Sequence, residues 1–150
     1  MTVEGVAIRP VNMPADSTAL SAIWFDASLK AHPFIGEGLL REQRTLVEEH
    51  YLPNSETWVA CERCTPVGFI SLLDKFVGAV FVAPDKQGQG IGRALISHAL
   101  ERKGELTLEV YTQNKQTLQF YTLLGFCEVS RRPIDDEGRP LENARMVLKA

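Results

Sequence analysis

The sequence predicts an α+β domain built on a mixed, mostly antiparallel sheet, and three observations carry that prediction. Short β-branched and aromatic runs at 57–62, 66–73 and 77–82 are separated only by turns, as in a strand meander. Segments before and after the meander repeat their apolar residues at helical spacing instead. A strand at 77–82, a helix from Gly90 and a strand at 106–110 then follow one another, which supplies a single β–α–β crossover. At 150 residues the chain fits one domain, 1–150, and is long enough to bury a core.

A short first strand is expected at 6–9, with Asp16 or Ser17 placed to cap the helix that follows. Leu20, Ile23, Trp24 and Ala27 form the apolar stripe of that helix. The segment KAHPFIGEG is broken by Pro33, Gly36 and Gly38 and reads as a loop. A second amphipathic helix is expected from Leu39 to His50, stopping before Pro53. After the meander Pro84 ends the third strand, and the helix from Gly90 carries Ile91, Leu95, Ala99 and Leu100 on one face until Gly104. Residues 114–124 are helical again, with Gly125 where a left-handed cap is favoured. Runs at 126–132 and 143–149 make a terminal hairpin across the polar turn DDEGRP, and the last strand is a candidate to pair across a dimer.

Composition excludes several classes of function. A net charge of −3 and a pI near 5.6 leave no global basic field, so no nucleic-acid partner is expected. No apolar run approaches the roughly 20 residues of a membrane span, and MTVEGVAIRP lacks the charged-then-apolar start of a secretory signal. A cytoplasmic protein without a membrane partner is the expectation. Cys61, Cys64 and Cys127 are an odd number and make no disulfide framework. Cys61 and Cys64 spell C-x-x-C, but where a strand enters a turn rather than at a helix N-terminus. No further zinc ligands follow at short spacing, so the pair reads as incidental and no metal is expected.

Chemistry concentrates in the stretch VFVAPDKQGQGIGRAL. A strand stops at a proline, and Gly88, Gly90 and Gly92 lead straight into a helix. Residues without side chains let a backbone approach a ligand closely, and the N–H groups of the first helical turn favour an anion. Pyrophosphate is the natural guest. The spacing is not that of a P-loop, which also needs Lys followed by Ser or Thr. Nor is it G-x-G-x-x-G, because the third glycine would fall at Arg93 or Leu95.

Two motifs identify the pattern. Gln87, Gly90 and Gly92 match Q/R-x-x-G-x-G/A. Downstream, Asn114 precedes a helix ending Phe120-Tyr121-Thr-Leu-Leu-Gly125-Phe126, which matches F-Y-x-x-x-G-F. In this order, with a strand between them, they resemble the GNAT superfamily of N-acetyltransferases. The motifs occupy 80–126, and the first third of the chain carries none. The resemblance implies acetyl-CoA as co-substrate and a V-shaped splay between the strands at 77–82 and 106–110. It implies that the backbone of Val80, Phe81 and Val82 pairs with the pantetheine arm like an added strand. By the same resemblance Gln87, Gly88, Gln89, Gly90, Ile91, Gly92 and Arg93 surround the pyrophosphate. Asn114 resembles the residue that bonds the arm or a phosphate, and Tyr121 the tyrosine that protonates the departing thiolate.

The reaction so implied transfers an acetyl group to a primary amine of a small molecule or protein, by direct attack in a ternary complex. The amide of Val82 or its neighbour would serve as oxyanion donor. Glu109 lies five residues before Asn114, the placement of a glutamate base in some ribosomal-protein acetyltransferases of the superfamily. As a strand-end carboxylate it reads equally as facing solvent, with water taking the amine proton. Tyr121 likewise reads either as the acid or as a core aromatic spaced with Leu118 and Leu124. Trp24, His32 and Phe34 would shape the acceptor pocket, and Asp135, Asp136 and Glu137 form an acidic turn that either attracts a cation or is simply solvated. A CoA-binding sensor without turnover is the alternative of another class, and a monomer and a homodimer both fit.

Overall fold

The computed structural model describes residues 3–31 and 34–150. In chain order its elements are β1 (Val6–Pro10), α1 (Ser17–Ala31), α2 (Glu37–Leu46), β2 (Glu56–Glu62), β3 (Thr65–Leu73) and β4 (Phe76–Val82). They continue with α3 (Ile91–Lys103), β5 (Glu105–Tyr111), α4 (Lys115–Leu123), β6 (Cys127–Arg132) and β7 (Asn143–Lys149). The carbonyl of Asp16 starts α1 by accepting from the Leu20 N–H at 3.0 Å. Its carboxylate does not cap the helix. It turns back to accept from both Arg9 guanidinium nitrogens (2.8 and 2.9 Å) and the Asn12 N–H (2.7 Å). The second helix is shorter than its periodicity predicts. At Val47–Tyr51 the ladder widens into a π turn, closed by the Leu52 N–H on the Val47 carbonyl at 2.9 Å.

The seven strands lie in the order β1-β2-β3-β4-β5-β7-β6, antiparallel except for β4 beside β5. This is the mixed sheet with one crossover that the sequence pattern implies. The last strand, the candidate to pair across a dimer, lies between β5 and β6, which occupy both of its hydrogen-bonding sides. It therefore has no edge to offer a second copy.

β4 and β5 touch at one register pair, Phe76 with Thr107, beside a hydrogen bond from the Thr107 N–H to the Lys75 carbonyl at 2.9 Å. Beyond that point the strands part. The cause lies in β4 itself, where Leu72 pairs with Val77 but Ser71 pairs with Ala79, leaving Gly78 as an extra residue. A bulge of this kind bends its strand and reverses the facing of the side chains after it. Val77, Val80 and Val82 accordingly lean toward one face and Ala79 and Phe81 toward the other.

Both faces are covered, each by its own core. Ile91, Leu95, Ile96 and Ala99 of α3 and Tyr121 of α4 pack on Ala60, Ile70, Leu72, Leu106, Leu108 and Met146. On the opposite face Leu20 and Ile23 of α1 pack with Val47, Val59, Cys61 and Phe69. The core on the α3 face spans the slot, joining Ile70, Leu72 and Val77 on the β4 side to Leu106 and Leu108 on the β5 side.

Candidate active site

The glycine-rich turn is shaped by backbone angles that only glycine adopts at low cost. Gly88 (φ 82°) and Gly90 (φ 89°) are both left-handed, and Gly90 is the N-cap of α3. A Cβ on Gly88 would have no atom within 4 Å, and one on Gly90 only a Val3 methyl at 3.7 Å. The space outside these glycines is therefore open to a ligand. A depression of about 580 Å³ occupies it, lined by Val3, Glu4, Gly88, Gln89, Gly90, Arg93 and Phe120. The first N–H groups of the thirteen-residue α3 have no intrahelical acceptor, so helix dipole and open space coincide, as an anion site requires. At Gly92 the missing side chain also matters for packing: a Cβ there would come to 3.3 Å from the Phe120 ring, where α4 approaches α3.

The slot wall follows from strand parity. The Ala83 N–H donates to the Val67 carbonyl at 2.9 Å, and Val82 pairs with Gly68. Antiparallel alternation then turns the peptide groups of Ala79 and Phe81 toward β3 and those of Val80 and Val82 into the slot. The Val82 carbonyl is held there by the Gln87 amide, which donates at 3.1 Å. The other end of the same amide accepts from Lys30 Nζ at 2.9 Å, tying the last turn of α1 to the phosphate loop.

Tyr121 sits on the α3/α4 side of the slot, 7% exposed, between the rings of Phe120 and Phe126 at centroid distances of 5.2 and 5.4 Å. Burial pushes its phenol above the ordinary tyrosine range, so it is a neutral donor at physiological pH. Its packing is that of a core aromatic, and its hydroxyl is protonated. Asn114 is the N-cap of α4, its side-chain oxygen accepting from the Thr117 N–H at 3.1 Å.

On the α1 side Glu109 is half-buried and engaged by a partner. Its two oxygens receive the Arg132 guanidinium at 3.1 and 3.2 Å, and Arg132 also reaches Asp136 at 2.9 Å. Trp24 packs edge-on to Phe81 of β4 at 6.4 Å, and Phe34 edge-on to Tyr111 of β5 at 5.7 Å. The two aromatic residues predicted for the acceptor pocket therefore stand on opposite walls of the slot. His32, predicted with them, lies outside the described residues. The acidic turn is not simply a solvated run. Asp135 is buried and accepts from the Glu137 and Arg139 N–H groups, Arg139 Nε and the Tyr111 hydroxyl, at 2.7 to 3.1 Å. Burial and then the Asp135 charge push the Tyr111 phenol up to about 12. Asp135 has no capacity left for a cationic acceptor, whereas Asp136 stays exposed.

The model of the acetyltransferase (GNAT) domain matches residues 53–128, which span the bulged strand, the phosphate loop and α4. Peptidyl-lysine N-acetyltransferase YjaB of Escherichia coli K12 is 40% identical over 122 residues, covering 81% of this chain and 82% of YjaB. The chain belongs to the GNAT family of acetyltransferases. Peptidyl-lysine N-acetyltransferase YiaC of the same strain is 37% identical over 109 residues, covering 72% of this chain and 75% of YiaC. The solution structure of apo YjaB superposes with a TM-score of 0.86 at 35% identity, over 97% of this chain and 99% of that one.

Membership makes this GNAT chain an acetyl-CoA-dependent N-acetyltransferase, with acetyl-CoA as its co-substrate. The residues present suit that molecule: open glycine backbone at a helix N-terminus for the pyrophosphate, and outward-turned peptide groups at Val80 and Val82 for an extended arm. Three contributors escape a reading by motif. Gly78 carries a signal, a lone glycine inside a strand pattern, which marks a bulge. Lys30 and Arg132 carry none, because their partners lie 57 and 23 residues away in sequence.

Proposed function

We propose that this chain transfers the acetyl group of acetyl-CoA to the side-chain amine of lysine in a peptide or protein. The observation that carries the proposal is the slot that Gly78 opens between β4 and β5, roofed on the α1 side by Trp24 and Phe34. YjaB and YiaC, relatives matched over 81% and 72% of this chain, are named peptidyl-lysine N-acetyltransferases, which supports lysine as the acceptor.

Acetyl-CoA supplies an activated thioester. The chain contributes position and electrostatics. Amides of Gly88–Arg93 and the α3 dipole hold the pyrophosphate, and Val80 and Val82 fix the depth of the arm through main-chain bonds. An N–H turned into the slot, that of Val80 or Val82, is available to meet the negative charge that grows on the thioester oxygen. Tyr121 alone is a weak acid for a thiolate, whose ordinary pKa is about 8.5 against about 10 for a phenol, and burial weakens it further. It therefore acts as a relay, passing one proton to sulfur while the newly cationic amine nitrogen replaces it.

Arg132 takes one lone pair of each Glu109 oxygen, which leaves this carboxylate a poor base but with lone pairs to receive the acceptor's positive charge, and solvent removes the amine proton before attack. Asp136, bridged to the same guanidinium, completes a small anionic rim on that side. A lysine peptide and a peptide with only an α-amine, offered with acetyl-CoA to the chain and to Glu109→Gln, test both points. Faster acetylation of the lysine peptide, and a KM for it raised several-fold by Glu109→Gln with little change in kcat, is the expected result. Preference for the α-amine would overturn the acceptor. A kcat loss of about 100-fold or more in Glu109→Gln would make it the base.

A further inference from the structure

Building on the pyrophosphate seat proposed at Gly88–Arg93, we infer that Lys30 is a further ligand of acetyl-CoA, reaching from α1 to a pyrophosphate oxygen. Lys30 lies in the last turn of α1, yet its Nζ donates to the Gln87 side-chain oxygen at 2.9 Å. Gln87 directly precedes Gly88, whose positive φ of 82° leaves open space where a side chain would stand. An exposed ammonium thus stands at the edge of the glycine turn, although 57 residues separate it from Gln87 in sequence.

Charge balance calls for such a group. Each phosphoryl of a pyrophosphate diester is ionised at neutral pH, while the N-terminus of α3 supplies only about half an elementary charge. The whole chain carries −3, so its net field opposes an anionic co-substrate rather than drawing it in. Two other basic side chains belong to the turn. Lys86 is committed to Glu62 at 2.8 Å, and Arg93 lines the depression outside Gly88 and Gly90 beside the acidic Glu4. Lys30 is bonded to a neutral amide, so no ion pair has to break before its charge meets a phosphate.

An ammonium has three donors, and Gln87 takes one of them. The others are available to phosphate oxygens, and a hydrogen bond between two ions is about twice as strong as one between neutral groups. The same Gln87 amide donates to the Val82 carbonyl at 3.1 Å, which fixes the ammonium relative to the slot wall. Lys30 therefore places a counter-charge at the phosphate end of the co-substrate, and β4 is left to set the thioester end.

Calorimetric titration of the parent, Lys30→Met and Lys30→Arg with CoA and with dephospho-CoA, at low and at high salt, tests the assignment. Lys30→Met should bind both ligands about tenfold more weakly at low salt, and the deficit should shrink as salt screens the charge. Lys30→Arg keeps the charge and should stay within about twofold of the parent. Unchanged affinity in Lys30→Met would overturn the inference. So would a deficit that salt leaves intact and arginine does not restore, the mark of a merely structural tie between α1 and the turn. A deficit seen with CoA alone would overturn it as well, by moving the charge to the 3′-phosphate that dephospho-CoA lacks. A parent chain that binds neither ligand would remove the proposed pyrophosphate seat itself, and Lys30 with it.

Discussion

Tyr121 is held by two constraints that pull in different directions. Packing between Phe120 and Phe126 demands an aromatic ring, while desolvation keeps the hydroxyl protonated and raises the cost of any phenolate. Phenylalanine satisfies the first and not the second. Tyr121→Phe should therefore fold and bind acetyl-CoA within about twofold of the parent, yet lose roughly 100-fold or more in kcat. Steady-state kinetics beside calorimetric titration separate the two effects, and an unchanged kcat would take the hydroxyl out of the proton path. At this scale the sequence is a good guide to residues set by backbone geometry and a poor one to those set by distant partners. Gly88, Gly90, Asn114 and Tyr121 announce themselves by local pattern. The engagement of Glu109 by Arg132 does not, because nothing near either residue encodes the other.

Among elements, the turn into α3 separates glycines by function. Gly90 needs its positive φ, so Gly90→Val strains the backbone by about 1–2 kcal/mol and fills the space meant for phosphate oxygens. Gly92 is helical, and alanine there asks only the partly exposed Phe120 ring to yield a few tenths of an ångström. Calorimetry with CoA should show affinity lost in Gly90→Val and largely kept in Gly92→Ala; loss in both would assign the anion to the whole glycine run. The meander, α3 and α4 were legible because period and punctuation agree in each. α2 was overextended because its apolar spacing continues through Val47–Tyr51, where the backbone changes to π geometry without any breaker residue before Pro53. The bulge at Gly78 belongs to the same class: a local register change, invisible to alternation counting, that opens the site.

Over the whole molecule, two cores cover one sheet, and the Arg9–Asp16 ion pair ties β1 to the start of α1. Arg9 holds the Asp16 carboxyl below its usual range, and the Asn12 N–H adds to the effect against the opposing cost of burial. A depressed carboxyl stabilises the fold above its unfolded pKa of about 3.9, and that stability is lost as pH falls through the lower folded value. Denaturation by urea should show a plateau above about pH 4 that declines below it. Asp16→Asn should be less stable on the plateau and show a shallower acid decline, and an identical pH dependence in the variant would assign the acid sensitivity elsewhere. The sheet as a class was predictable from the strand count and the crossover. Strand order was not, because inserting β7 between β5 and β6 depends on long-range pairing such as Leu106 with Leu148, which no local pattern specifies.

Residue-resolved amide exchange with and without acetyl-CoA is the most direct test of the slot. Val80, Val82 and Gly88–Arg93 should become protected on binding, while Ala79 and Phe81, already facing β3, change little. Tight binding with no new protection at Val80 and Val82 would contradict the slot between β4 and β5 as the seat of the thioester arm.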